Sequence, residues 1–239
     1  MQVKLDRATI GYSGKVIARD LTAVLPTGSV TALVGSNGCG KSTLLRTIAG
    51  LQPSLGGSIT PKPDARNLAV VLTDRIDVPA LTVNDVVALG RLPYMGLAAR
   101  LSAVDRNTIA HAMEMAGIAH LSSRRIGELS DGERQRAMIA RAVAQDTPII
   151  LLDEPTAFLD FPSKVDTLKL LCRLAHEEGK TILLSTHDLE IAFQLADRLW
   201  LLSDDGISEG SPEELAACGA ISAIFPHIKF DSNTLRFIL

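Results

Sequence analysis

Gly35-Ser36-Asn37-Gly38-Cys39-Gly40-Lys41-Ser42-Thr43 is the stretch that decides the fold. It fits the pattern G-x-x-x-x-G-K-[ST]. An apolar, β-branched run (Ser29 to Val34) precedes it, and a helical pattern follows and stops at Gly50. That is the strand–loop–helix context in which such a loop cradles phosphates. The glycines let backbone N–H groups turn inward around phosphate oxygens, and the helix N-terminus adds its dipole and its free donors. Lys41 would reach the β- and γ-phosphates of a nucleotide, and the Ser42 hydroxyl would ligate Mg2+. The rival reading is a chance glycine-rich turn. Cys39 reads as a small filler of the loop, although its place at a helix N-terminus favours a thiolate.

Working outward, further short apolar runs read as buried strands: Leu68 to Leu72, Ile149 to Leu152, Thr181 to Ser185 and Arg198 to Leu202. Helical patterns follow or separate most of them, which argues for an α/β fold with a largely parallel core sheet. The first 27 residues differ. They read as short strands and turns over Val3 to Leu5, Ala8 to Ile10, Val16 to Ile17 and Leu21 to Leu25. Between Leu72 and Ile149 the pattern signals three helices and no convincing strand. The expected organisation is a nucleotide-binding core with an N-terminal antiparallel β region (about 1–27) and a helical insertion (about 78–145). Helix starts are marked by capping pairs three residues apart: Thr82 and Asp85, Ser102 and Asp105, Ser130 and Glu133, and Ser163 and Asp166. Ser211-Pro212-Glu213-Glu214 marks another, with proline at the first helical position. Gly50 and Gly117 read as helix stops.

Ile149-Ile150-Leu151-Leu152-Asp153-Glu154 is a buried strand that ends in two carboxylates. Alone this is a weak signal. Beside a phosphate loop it is a strong one, because the chemistry needs one acid near the metal and a separate base near the γ-phosphate. Asp153 would hold Mg2+ through water, and Glu154 would orient or deprotonate the attacking water.

Composition sets the outer bounds. The chain has 239 residues, with 24 Lys plus Arg against 27 Asp plus Glu and a formal net charge of −3. That balance argues against a general nucleic-acid binder. Arg124, Arg125, Arg134, Arg136 and Arg141 read as a solvated, salt-bridged helix surface. Hydrophobic residues make up 46%, as in a folded chain rather than a disordered one. The longest apolar run, Leu68 to Leu72, is far short of the ~20 residues a spanning helix needs. The N-terminal residues lack the apolar core of a signal peptide. Cys39, Cys172 and Cys218 make neither a disulfide framework nor a zinc pattern, which suits a reducing cytosol.

Leu129-Ser130-Asp131-Gly132-Glu133-Arg134-Gln135-Arg136 opens a helix shortly before the acidic strand. By itself it is either a well-capped helix or a second anion site. In this order and spacing the phosphate loop, this segment and the acidic strand resemble the ATP-binding-cassette ATPases, from about Val3 to Phe225. The resemblance implies a P-loop NTPase (RecA-like) core and ATP and Mg2+ as cofactors. It also implies a head-to-tail homodimer that sandwiches ATP between the phosphate loop of one copy and Ser130, Gly132 and Glu133 of the other. Tyr12 matches the aromatic that stacks on adenine. Leu159-Asp160 matches the loop that contacts the opposite subunit. His187 matches the histidine that senses the γ-phosphate, although alone it would read as a structural histidine near a helix cap, since Asp188 follows.

Three departures stand out. Asp74 takes the place of the family's usual glutamine, where a charged, shorter side chain could still ligate the metal but would alter coupling. Asp131 replaces the first glycine of the signature and is expected to point outward, leaving Gly132 as the place of closest backbone approach to phosphate. Glu133 replaces a glutamine.

Within the insertion, Leu81-Thr82-Val83, Ala88-Leu89-Gly90-Arg91-Leu92-Pro93-Tyr94 and Arg100-Leu101-Ser102 with Asp105 are similar to the importer group for ferric siderophores, haem and cobalamin. That resemblance implies a many-span permease dimer as partner, a substrate-binding protein acting indirectly, no nucleic acid, and a peripheral place on the cytoplasmic face of the plasma membrane. The bland alternative for residues 81–105 is an ordinary amphipathic surface. Two other functions stay open: a soluble regulatory or assembly ATPase of the same family, and a nucleotide-binding scaffold that has lost hydrolysis. Residues 226–239 read as a short tail with no assigned function.

Overall fold

The computed structural model describes residues 2–12, 14–73, 79–96, 100–225, 229–231 and 236–238. A six-stranded sheet forms its centre. The strands are β3 (Val30–Gly35), β5 (Leu68–Val71), β6 (Ile149–Leu152), β7 (Thr181–Ser185), β8 (Arg198–Ser203) and β9 (Gly206–Gly210), in the order β5-β6-β7-β3-β8-β9. The first five are parallel, and β9 closes the edge antiparallel to β8. Alternate residues feed two cores. Val30, Ala32, Ile150 and Leu152 face one side, while Leu33, Ile149, Leu151 and Trp200 face the other. Both faces are therefore covered, as a parallel sheet requires.

One face carries α1 (Lys41–Ile48) and a second, antiparallel sheet in the order β2-β1-β4. Here β1 (Val3–Tyr12) and β2 (Lys15–Leu25) are continuous strands, not the four short ones expected from the sequence. The polar interruptions are bulges: the pairing register shifts between Leu5 and Ala8, and Arg7 and Asp20 adopt positive φ of 48° and 53°. A bulge takes up an extra residue while the strand continues. The third strand, β4 (Gly56–Thr60), lies beyond the expected boundary of this region.

The other face carries α2 (Val83–Ala88), α3 (Ala103–Met115), α4 (Asp131–Ala144) and α5 (Phe161–His176). Thr82, Ser102 and Ser130 close reciprocal capping boxes with Asp85, Asp105 and Glu133, as expected. The Ser163–Asp166 pair does not cap. Helix α5 starts earlier, with Asp160 as its cap accepting from Ser163 N at 3.1 Å and Pro162 in its first turn. Gly50 and Gly117 end α1 and α3 with φ of 71° and 69°. The chain continues through α6 (Leu189–Leu195), α7 (Pro212–Ala217), α8 (Ala220–Ile224) and the two-stranded pair β10 (Lys229–Asp231) and β11 (Arg236–Ile238). Ser211 caps α7 in a box with Glu214.

The turn Leu89–Tyr94 is fastened to α3 and α4 by Arg91, which is buried. Its Nε donates to Asp105 Oδ1 at 2.8 Å and its Nη1 to Ala144 O at 2.9 Å, while its guanidinium lies 4.0 Å from the centre of the Tyr94 ring. Gly90 lets this turn sit directly on α4: a Cβ there would lie 2.3 Å from Arg141 O. Arg124 and Arg125 are exposed and Arg124, Arg134 and Arg136 are salt-bridged, as expected, but the arginines of α4 itself are only partly solvated. Arg141 Nη2 reaches across to Val70 O at 2.7 Å, and burial pulls its pKa down. Arg136 pairs with Asp166 of α5 at 3.8 Å. These arginines are partly covered because α4 lies between β5, α5 and the turn.

Candidate functional site

The candidate site gathers at the carboxyl ends of β3, β6 and β7, which are neighbours in the sheet. Strand β3 ends at Gly35, whose missing side chain matters: a Cβ would meet Leu202 O at 2.5 Å and Cys39 Sγ at 2.8 Å. The loop then turns through Ser36, Asn37, Gly38, Cys39 and Gly40. Gly38 and Gly40 hold φ of 81° and 106°, a region that side chains disfavour. Cys39 packs against the core on this face, as a filler would. Helix α1 has no side-chain cap, unlike α2, α3, α4, α5 and α7. Its first-turn N–H groups therefore remain for the loop, the arrangement that binds anions. Lys41 is buried and its Nζ donates to Gly35 O at 2.9 Å and Ser36 O at 3.0 Å. Tyr12 lies beside the loop and is 46% exposed, and its hydroxyl shares a 2.7 Å hydrogen bond with Thr43 Oγ1.

Asp153 follows β6 and is buried. Its Oδ1 accepts from Ser42 Oγ at 3.0 Å and from Ser185 Oγ at 2.7 Å. Thr73 Oγ1 donates to the Asp153 carbonyl at 2.8 Å. A hydroxyl and a carboxylate are hard oxygen donors. Their 3.0 Å separation matches neighbouring oxygens around Mg2+ with bonds of about 2.1 Å. The residues present thus fit the metal. Asp74, the other expected ligand, lies outside the described residues, and no group of three or more His, Cys, Asp or Glu suited to a metal occurs among those described.

Glu154 adopts φ of 50°, and its carboxylate pairs with His187 Nε2. His187 thus stands both beside the start of α6 and against the acidic pair. Asp188, the candidate cap, makes no cap hydrogen bond and instead pairs with Lys164 Nζ at 3.1 Å. A small hollow is bordered by Asp153 and Glu154 on one side and by Asp131, Arg134 and Met138 of α4 on the other. The signature helix therefore borders its own chain's acidic pair.

The remaining candidates stand apart from the phosphate loop. Ser130 and Glu133 close on each other, with Glu133 Oε2 accepting from Ser130 N and Ser130 Oγ at 2.8 Å each. Those bonds hold the Glu133 carboxyl below its ordinary pKa. Asp131 is half-exposed at the edge of that hollow and lies 3.6 Å from Arg134. Gly132 is buried, and a Cβ there would sit 2.8 Å from Ser163 Oγ, so α4 and α5 meet at this glycine. Asp160 spends its carboxylate on capping α5, and the Ser163 hydroxyl and N–H hold its pKa down. Flanking it, Phe158 and Phe161 are largely exposed.

Sequence reasoning passed over Ser185 and Thr73, two of the three hydroxyls that bond to Asp153. The only signal for Ser185 is a polar residue closing an apolar run, which many strands show.

Comparison with known proteins shows the family. Residues 18–157 match the family model described as ABC transporter. The ferric enterobactin transport ATP-binding protein FepC of Escherichia coli is 37% identical over 92% of this chain and 85% of its own length. The manganese transport system ATP-binding protein MntA of Synechocystis is 37% identical over 90% and 86%. Among solved structures, an inward-facing conformation of an ABC transporter assigned to the metal-chelate type matches with a TM-score of 0.85. It covers 99% of this chain and 94% of that one at 27% identity. The chain belongs to the ABC transporter family, as an ATP-hydrolysing subunit.

Proposed function

We propose that this chain powers an importer for an iron chelate (a ferric siderophore), haem or a cobalamin-type compound. Residues 1–225 would form a single ATPase domain that works as a head-to-tail homodimer. It would sit beneath a many-span permease dimer on the cytoplasmic face of the plasma membrane, with a substrate-binding protein delivering the cargo. The observation that carries the hydrolytic part is the convergence of Ser42, Asp153, Glu154 and His187 at three adjacent strand ends. The importer part is supported by the turn Leu89–Tyr94, which exposes Leu89, Leu92 and Tyr94 while Arg91 pins it from below.

The chemistry follows from these positions. Backbone N–H groups of residues 35–43 and the α1 N-terminus hold the phosphates, and Tyr12 stacks on the base. Lys41 exchanges its carbonyl partners for the β- and γ-phosphate oxygens. Ser42 and Asp153 would hold Mg2+, which screens phosphate charge and polarises the γ-phosphorus. Glu154 accepts the proton of the attacking water, and His187 keeps the Glu154 carboxylate directed at it. Ser130, Gly132 and Glu133 of the opposing copy would close over the γ-phosphate, and Asp160 would lie on the contact between copies.

A second cargo, a bare manganese ion, is favoured by the manganese-transport relative at the same identity as the enterobactin one. Purification of the chain from detergent-solubilised membranes tests the reading. A stoichiometric many-span protein should accompany it, and reconstituted vesicles should take up a ferric chelate at the expense of ATP. Uptake of Mn2+ instead would establish the second cargo. Recovery with soluble partners alone would overturn the importer reading.

A further inference from the structure

Strand β7 lies between β3, which delivers the phosphate loop, and β6, which delivers the two acids. Its last residue, Ser185, is paired in register with Leu33 of β3, while the preceding Leu184 pairs with Leu152 of β6. Ser185 is 0% exposed. Its hydroxyl therefore ends up at the junction of the two functional segments with no water to serve it.

The directions of its hydrogen bonds are forced. The Glu154 N–H can only donate, so Ser185 Oγ accepts from it, at 2.9 Å. The hydroxyl then has one proton to give, and it goes to Asp153 Oδ1 at 2.7 Å. Ser42 Oγ donates to the same oxygen. One buried hydroxyl thus fixes the rotamer of the carboxylate beside Ser42 and anchors the backbone of the next residue. That backbone has a φ of 50°, a conformation that persists only where its surroundings determine it.

We propose that Ser185 is a positioning residue for hydrolysis, acting through both acids: it orients Asp153 toward the metal and holds Glu154 in the conformation that presents its carboxylate to water. The proposal rests on the reading of Ser42 and Asp153 as the metal site. It predicts two coupled defects from a single oxygen, one in metal affinity and one in turnover.

The test compares the wild-type chain with Ser185→Ala and Ser185→Thr. Binding of a fluorescent ATP analogue without divalent ion reports folding and the phosphate loop, and should be equal in wild type and Ser185→Ala. Mn2+ binding to the complex with a non-hydrolysable ATP analogue, followed by electron paramagnetic resonance, should weaken about tenfold in Ser185→Ala. The half-saturating Mg2+ concentration for hydrolysis should rise alike, and kcat should fall about tenfold at saturating Mg2+. Ser185→Thr keeps the hydroxyl and should restore both. Equal Mn2+ affinity and equal kcat in Ser185→Ala would overturn the proposal while leaving the metal site intact. A defect that Ser185→Thr shares in full, with metal-free nucleotide binding lost in both, would make Ser185 a packing residue and overturn it too. A wild-type chain whose nucleotide complex binds no Mn2+ would remove the metal site and the proposal with it.

Discussion

Replacing Gly90 by alanine sets two physical effects against each other with opposite signs. Gly90 lies in a helical turn with no positive φ, so its backbone would accept alanine. On propensity alone the change should stabilise by up to about 1 kcal/mol. The new Cβ, however, would sit 2.3 Å from Arg141 O, 3.0 Å from Gln145 N and 3.2 Å from Ala144 Cβ. The first two are backbone atoms of α4 and its cap, which cannot rotate aside. Relief requires the turn to lift off α4, straining the Arg91 bonds to Asp105 and Ala144. Overpacking of this kind costs about 1–3 kcal/mol and more where backbone must move. We expect a net loss of about 2 kcal/mol, or a drop in Tm of roughly 5 °C for a chain of this size. Urea denaturation followed by circular dichroism reads it. The control is Gly96→Ala, a few residues on, where an added Cβ meets nothing within 4 Å. A Gly90→Ala chain as stable as the control, or more stable than wild type, would refute the argument that close approach dictates glycine here.

Glu154→Gln should lower hydrolysis by about a hundredfold or more while ATP still binds, since the base is lost but the phosphate loop is not; an unchanged rate measured by phosphate release would remove Glu154 as the base. Tyr12→Ala should weaken ATP about tenfold through lost stacking, whereas Tyr12→Phe, which loses only the bond to Thr43, should bind nearly as wild type; equal affinity of the alanine variant in calorimetry would exclude a stacking role. Asp105 is held down from an ordinary 3.8 to about 2 by the Ser102 hydroxyl, then the Ser102 N–H and Arg91. A depressed carboxylate stabilises the fold above its ordinary pKa and loses that contribution as pH falls through its folded value. The stability gap between wild type and Asp105→Asn, from urea midpoints, should therefore be constant down to about pH 4 and narrow toward pH 2. A gap that stays constant throughout would contradict it.

How far the sequence disclosed this molecule depends on whether a feature is local. The phosphate loop, the capping boxes at Thr82, Ser102, Ser130 and Ser211 and the stops at Gly50 and Gly117 depend on residues a few positions apart, and each was legible. The breaks read into β1 and β2 were bulges, because continuity there depends on a partner strand that a linear pattern does not contain. Strands β4 and β9 were missed for a related reason. Gly56-Gly57-Ser58-Ile59-Thr60 and Gly206-Ile207-Ser208-Glu209-Gly210 carry little apolar content, because each lies at a sheet edge and buries little of its length. The cap of α5 at Asp160 was legible in principle, since Asp-Phe-Pro is itself a helix start and outcompetes the Ser163 signal. In the site, residue identities pointed to Ser42, Asp153 and Glu154. The meeting of Ser185 with Asp153 belongs to the strand order alone.

Helix α4 spans fourteen residues, about 21 Å of rise. Its first half borders the hollow beside Asp153 and Glu154, and its last residues hold Gly90 and Arg91 of the exposed turn. The helix therefore has the proportions of a lever, with the acidic pair near one end and the exposed turn, the surface proposed to meet the permease, clamped to the other. A tilt of only about 6° pivoted at Ser130 would carry the turn roughly 2 Å, because a rod of ~21 Å converts angle into travel in that ratio. Arg91, bonded to Asp105 and Ala144, ties the turn to that far end, so Leu92 and Tyr94 would move with it.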